Sequence, residues 1–118
     1  MKKHSAAVRR QKILALRKEP FKRSFKKICS ALRADPSPVV RHEAAFVLGE
    51  SKRPEAIAPL IYAIMYDHSD LVRHEAIEML GDLGFKDKKV EDFLKKLTRD
   101  KNPFIKDTAE IALATLNL

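Results

Sequence analysis

Glycine is almost missing from this chain of 118 residues, with three copies, and proline is scarce inside its periodic stretches. Runs of β-branched residues bounded by turn residues are lacking as well, which excludes a sheet-built fold and leaves helices. No apolar run approaches the ~20 residues needed to cross a bilayer. The basic start, Met1-Lys2-Lys3-His4, leads into amphipathic, charged sequence instead of the apolar core of a signal peptide. A soluble, cytoplasmic protein with no membrane partner is expected. The single Cys29 excludes an internal disulfide, and its place beside Ile28, near Ala31 and Leu32, reads as a small core hydrophobe rather than a nucleophile. A glycine-rich phosphate loop, a His-Glu-x-x-His zinc motif, a paired Cys-x-x-Cys and a serine nucleophile elbow are all absent, which removes the commonest enzyme signatures.

Acid is missing from one region only. Residues 1–33 carry twelve Lys or Arg against the single Glu19, a charge of +11, while the other 85 residues sum to −3. One end of the molecule is therefore basic. Such an end draws an acidic protein or a nucleic acid, with Arg9, Arg10, Lys22 and Lys26 as the residues to carry the attraction. It equally serves as a solvated cap that keeps a helical stack soluble.

What the chain does have is a repeat. On a register of 32 to 33 residues, Val8-Arg9-Arg10-Gln11, Val40-Arg41-His42-Glu43, Val72-Arg73-His74-Glu75 and Ile105-Lys106-Asp107-Thr108 align, each a β-branched residue followed by a base. Leu16, Leu48, Leu80 and Leu113 recur eight residues later, and Asp35, Asp67 and Asp100 precede the last three copies. These positions are scaffold, and Arg41 and Arg73 read as partners of the turn aspartates. The His-Glu pair occurs only in the two central copies, so the fold itself does not require it.

Breaks at Pro, Gly and Asp-rich turns leave seven helical stretches, at about 5–18, 20–33, 38–50, 54–66, 70–83, 88–99 and 103–117. The expected architecture is all-α, a short right-handed solenoid of stacked helical hairpins forming one domain, 1–118. Within it lie a basic N-terminal cap (1–34), two His-Glu repeats (35–66 and 67–99) and a C-terminal cap (100–118).

In the third helix Val40, Ala44, Val47 and Leu48 form the core stripe, matched by Val72, Ala76, Met79 and Leu80 in the fifth. On a helical wheel His42 lies nearly opposite that stripe, with Arg41 and Glu43 on its flanks. His42 and His74 thus stand on the same outer surface of neighbouring helices, ~8–10 Å between axes, where two imidazoles meet on one ion. Adding Glu43 or Glu75 gives the two-His, one-carboxylate set associated with non-haem Fe(II), which keeps positions open for oxygen. The spare glutamate is left to bind a cationic group, bridge a second metal or act as a base. Phe46, one turn after His42, is an apolar residue where solvent is expected and fits the wall of a site or an interface. His4 and His68 read as surface residues.

The Asp-x-x-x-x-Val-Arg...Ala...Leu-Gly stacking over the whole chain resembles HEAT-like repeats of the phycobilin lyase type. More narrowly, Arg41-His42-Glu43-Ala44-Ala45-Phe46-Val47-Leu48-Gly49 and Val72-Arg73-His74-Glu75-Ala76-Ile77-Glu78-Met79-Leu80-Gly81 resemble one half of deoxyhypusine hydroxylase, over about 35–118. That resemblance implies a HEAT-repeat enzyme with a di-iron centre on four His-Glu motifs, hydroxylating deoxyhypusine on translation initiation factor 5A. It makes His42, Glu43, His74 and Glu75 the metal positions, Glu43 and Glu75 the catalytic carboxylates and Phe46 the matching aromatic. Two motifs are present here instead of four, so a complete centre calls for two chains pairing their His faces. The alternatives are a non-enzymatic protein interaction scaffold and, with less support, a phosphate-backbone binder. The last lacks aromatics on its basic face, since Phe21 and Phe25 read as core.

Overall fold

Helices begin where an oxygen or a proline is ready for their unpaired first amides. Ser5 accepts from the Val8 amide at the start of α1 (Ala6–Ala15), which tightens into a single 3₁₀ turn at Leu16–Lys18. Pro20 precedes α2 (Phe21–Ala34), and Ser37 with Pro38 opens α3 (Pro38–Glu50). A 3₁₀ turn at Pro54–Ala56 leads into α4 (Ile57–Tyr66), and Ser69 precedes α5 (Asp70–Leu83). Asp87 caps α6 (Lys88–Leu97), and Asn102 with Pro103 opens α7 (Pro103–Leu116). Gly84 ends α5 at φ 74°, in the left-handed region that glycine enters without strain. The computed structural model describes residues 4–118; Met1, Lys2 and Lys3, the first bases of the expected N-terminal cap, lie outside the described residues. Among the described residues there are seven α-helices and no strand, at the positions the breaks in the sequence predict.

The helices form two layers in an elongated body of 46 × 29 × 17 Å. The odd helices α1, α3, α5 and α7 pack side by side in one continuous row, and α2, α4 and α6 lie across it against α3, α5 and α7. Small residues bring the odd row together. Ala44, Ala45 and Ala76 are fully buried, and a side chain added at Gly49 would meet Met79 Cβ at 2.5 Å, or at Gly81 the Ala112 carbonyl oxygen at 2.9 Å. Between the layers Leu48, Leu60, Ile64, Ile77, Leu80, Leu94 and Ile105 fill the core. The stripes predicted in α3 and α5 are all buried. The stack is a solenoid-like arrangement in which each hairpin covers the apolar face its neighbour leaves open.

The recurring Arg and Asp tie the rungs. Arg9 forks onto Asp35 at 2.9 and 3.1 Å, and Arg41 onto Asp67 at 2.8 and 3.2 Å. Arg73 reaches Asp100 more loosely at 3.7 Å while donating to the Ile64 carbonyl. Each aspartate also accepts an amide at the start of the next odd helix, from Ser37, Ser69 or Asn102, all at 2.9 Å. Burial opposes the charge on Asp35, but Arg9, the Ser37 amide and Arg41 outweigh it and hold its carboxyl below the usual range.

Candidate functional site

A second ladder crosses the odd row one residue further along each helix. Arg10 Nε on α1 donates to Glu43 Oε1 on α3 at 2.6 Å, and one repeat later His42 Nε2 on α3 stands 3.0 Å from Glu75 Oε1 on α5. The two pairs are equivalent: the residue aligned with Arg10 is His42, and the residue aligned with Glu43 is Glu75. In the fourth copy the carboxylate position is Thr108, whose hydroxyl donates to the Phe104 carbonyl. With no acid to meet there, His74 stacks on the Phe104 ring, centroids 4.8 Å apart at 14°, and approaches Glu78 at 3.9 Å.

The structure therefore brings His42 and Glu75 together, with His74 and Glu78 in the same electrostatic neighbourhood. Burial pushes the Glu75 carboxyl above the ordinary glutamate value, opposed by His42; Glu78 adds to the rise and His74 lowers it. The His42 and His74 side chains are 31% and 29% exposed and Glu75 11%, so imidazoles line a surface with a nearly buried carboxylate between them. Glu43 sits in the preceding seam, buried and held by Arg10. Its separation from Glu75 was not visible on a helical wheel, which gives direction around one axis but not which neighbour receives the side chain.

Other predicted residues fall as follows. Phe46, expected on a solvent-facing side, is half-buried and packs against the core, because α3 has neighbours on two sides within the odd row. Arg9 and Arg10 face internal carboxylates, while Lys22 and Lys26 are exposed on α2. Cys29 is half-buried, and burial pushes its thiol up. One feature escaped the sequence reading: Val39, Leu71 and Phe104 occupy the same position near the starts of α3, α5 and α7, and each is about half exposed. They lie one turn before His42, His74 and Asp107, on the same helix face, so the imidazoles stand beside an apolar edge. The signal was present in the register, as an apolar residue immediately before the buried Val40, Val72 and Ile105.

Imidazole and carboxylate are donors that suit iron. Among the described residues no three His, Cys, Asp or Glu side chains converge as metal ligands.

The family model for HEAT repeats matches residues 25–114. Among solved structures the chain is similar to human deoxyhypusine hydroxylase in complex with glycerol, at 25% identity and a TM-score of 0.64. That similarity covers 95% of this chain and 46% of the other, so the chain spans less than half the length of the protein it resembles. No curated protein matches it in sequence.

Proposed function

Because this chain belongs to the HEAT-repeat family, and its fold is shared with about half of a deoxyhypusine hydroxylase, we propose that it is a metal-binding relative of that enzyme whose ligand set is completed by a second copy. The observation that supports this most is the pair of partly exposed imidazoles, one repeat apart, near the Glu75 carboxylate. His42 and Glu75, which meet across the α3–α5 seam, with His74 beside them, are the donors each copy would contribute. Glu43 joins only if Arg10 lets it go, so Glu75 is the better candidate for a catalytic carboxylate. The apolar edge of Val39, Leu71 and Phe104 gives a two-fold related copy something to cover, which would set two His faces against each other. Fe(II) bound there would supply oxygen activation, and the substrate implied by the resemblance is a modified lysine on an acidic translation factor, in the cytoplasm. Among the described residues no helix is long and apolar enough to cross a membrane.

Anaerobic loading with Fe(II), read as bound iron per chain together with solution mass, tests this. Wild type should hold iron as a dimer, and His42→Ala and His74→Ala should each lose most of it. Iron content that is the same in all three proteins overturns the proposal. Because metal donors must be deprotonated, binding should also weaken as pH is lowered. A second reading, an interaction scaffold without metal, has its own observation: His42 and Glu75 fill the slot that Arg10 and Glu43 fill one repeat earlier, where the pair is only a tie between helices. On that reading both histidine variants keep the same metal content as wild type.

A further inference from the structure

The helix α4 carries no charged side chain, yet Tyr62, Met65 and Tyr66 stand 41, 54 and 58% exposed along it. An uncharged helix with that much aromatic and thioether surface in water is a surface awaiting cover. The helix facing it, α2, is the opposite in character: Lys22, Arg23, Lys26, Lys27 and Arg33, without an acid. The two meet only lightly, because it is the odd row that is drawn together by small residues. A cleft of about 550 Å³ opens between them, floored by Cys29, Leu32 and Ala63 and walled by Arg33, Tyr62 and Tyr66. That is a size at which binding clefts for a few side chains are found.

Its electrostatics favour an anion beside an apolar group. The Arg33 guanidinium lies 4.4 Å over the Tyr62 ring and donates to the Tyr62 hydroxyl at 3.4 Å, and the residue is exposed, so its other N–H groups are open to a ligand. The aspartates at the loop end of the cleft, Asp35 and Asp67, are already matched by Arg9 and Arg41, so they do not oppose an incoming carboxylate. Tyr62 and Tyr66 lean on each other, ring centroids 4.8 Å apart, and form one short shelf. A nucleic acid strand needs successive stacking platforms beside a tracked backbone, and a single shelf over an apolar floor does not provide them. A peptide needs only one apolar anchor and a neighbouring charge.

We propose that the cleft between α2 and α4 binds an extended acidic segment of a partner protein, with an apolar or aromatic side chain on the floor against Tyr62 and Tyr66 and an adjacent carboxylate on Arg33. None of the cleft residues belongs to the His-Glu set, so this site stands or falls separately from metal binding.

The probe is a fluorescein-labelled peptide, Glu-Asp-Phe-Leu-Asp-Glu, titrated by anisotropy into the full chain, with Gln-Asn-Phe-Leu-Asn-Gln and oligo-dT as competitors. Saturable binding is expected, displaced poorly by the neutral peptide and by oligo-dT. Tyr62→Ala and Arg33→Gln should each weaken it about tenfold or more, with melting temperatures confirming that both exposed-site variants are folded. Cys29, the only thiol in the chain, should be alkylated more slowly while peptide is bound. Equal affinity in wild type and both variants, unchanged Cys29 labelling, or tighter binding of oligo-dT overturns the proposal.

Discussion

The seam between α1 and α3 and the seam between α3 and α5 are closed at the same point by different chemistry. In the first a permanently charged guanidinium sits 2.6 Å from a buried carboxylate; in the second an imidazole sits 3.0 Å from its equivalent. The fold asks for a donor there and accepts either. What changes is the donor itself, since arginine brings a planar fork of five N–H groups and histidine a single ring nitrogen to the carboxylate. The seam between α5 and α7 shows the limit of the pattern. With Thr108 in place of the acid, its histidine leaves the ladder for an aromatic ring.

The largest effect should come from breaking the first seam. Arg10→Ala leaves Glu43 buried without its partner, and the loss at neutral pH should be about 2 kcal/mol in urea unfolding, below the cost for a fully buried pair because Arg10 is itself partly exposed. The deficit should shrink when Glu43→Gln is added to Arg10→Ala; a deficit unchanged in the double variant would show that charge is not what closes the seam.

Making the second seam a copy of the first is the sharper comparison. His42→Arg should hold or raise stability by about 0.5–1 kcal/mol relative to wild type, as it rebuilds across the second seam the guanidinium–carboxylate bond of the first. The same variant should bind no iron. Destabilisation by more than that amount would mean the α3–α5 seam is shaped for imidazole alone.

The smallest effect concerns Glu75. Burial holds its carboxyl above the ordinary value, so between that value and the folded one the native state binds more proton than the unfolded chain. Stability therefore falls as pH rises through that window. Glu75→Gln removes the fall, and its stability relative to wild type should climb across the window and then level off. A relative stability that is flat from pH 4 to 8 would leave Glu75 without a distinct environment.

Much of this architecture is legible in the sequence because it rests on local rules. Prolines and capping oxygens mark the helix starts, and the spacing of Val40, Ala44, Val47 and Leu48 marks the buried stripe. The aspartates before each Arg announced the ties, since a charge repeated at a fixed distance before a base has a partner at each rung. The diagonal relation of Arg10 to Glu43, and of His42 to Glu75, depends on the offset between neighbouring helices, which no single wheel contains. For the same reason a wheel points Phe46 toward solvent, whereas it packs partly buried against the core. The cleft was hidden by a different cause. Its two walls are 29 to 33 residues apart, and its depth follows from one layer being drawn tighter than the other, although the absence of charge from Ile57 to Tyr66 was there to be read.

The aspartates that join one loop to the preceding rung also hold the first amides of the next helix, so each rung's nucleation is conditional on the one before it. Folding energy in such an array is shared between nearest neighbours, as in a one-dimensional lattice, and a rung detached in the middle would forfeit two interfaces at once. Opening is then cheapest at an end. With its guanidinium 3.7 Å from Asp100 where the other two sit within 3 Å of theirs, the last junction has the loosest of the three Arg–Asp ties.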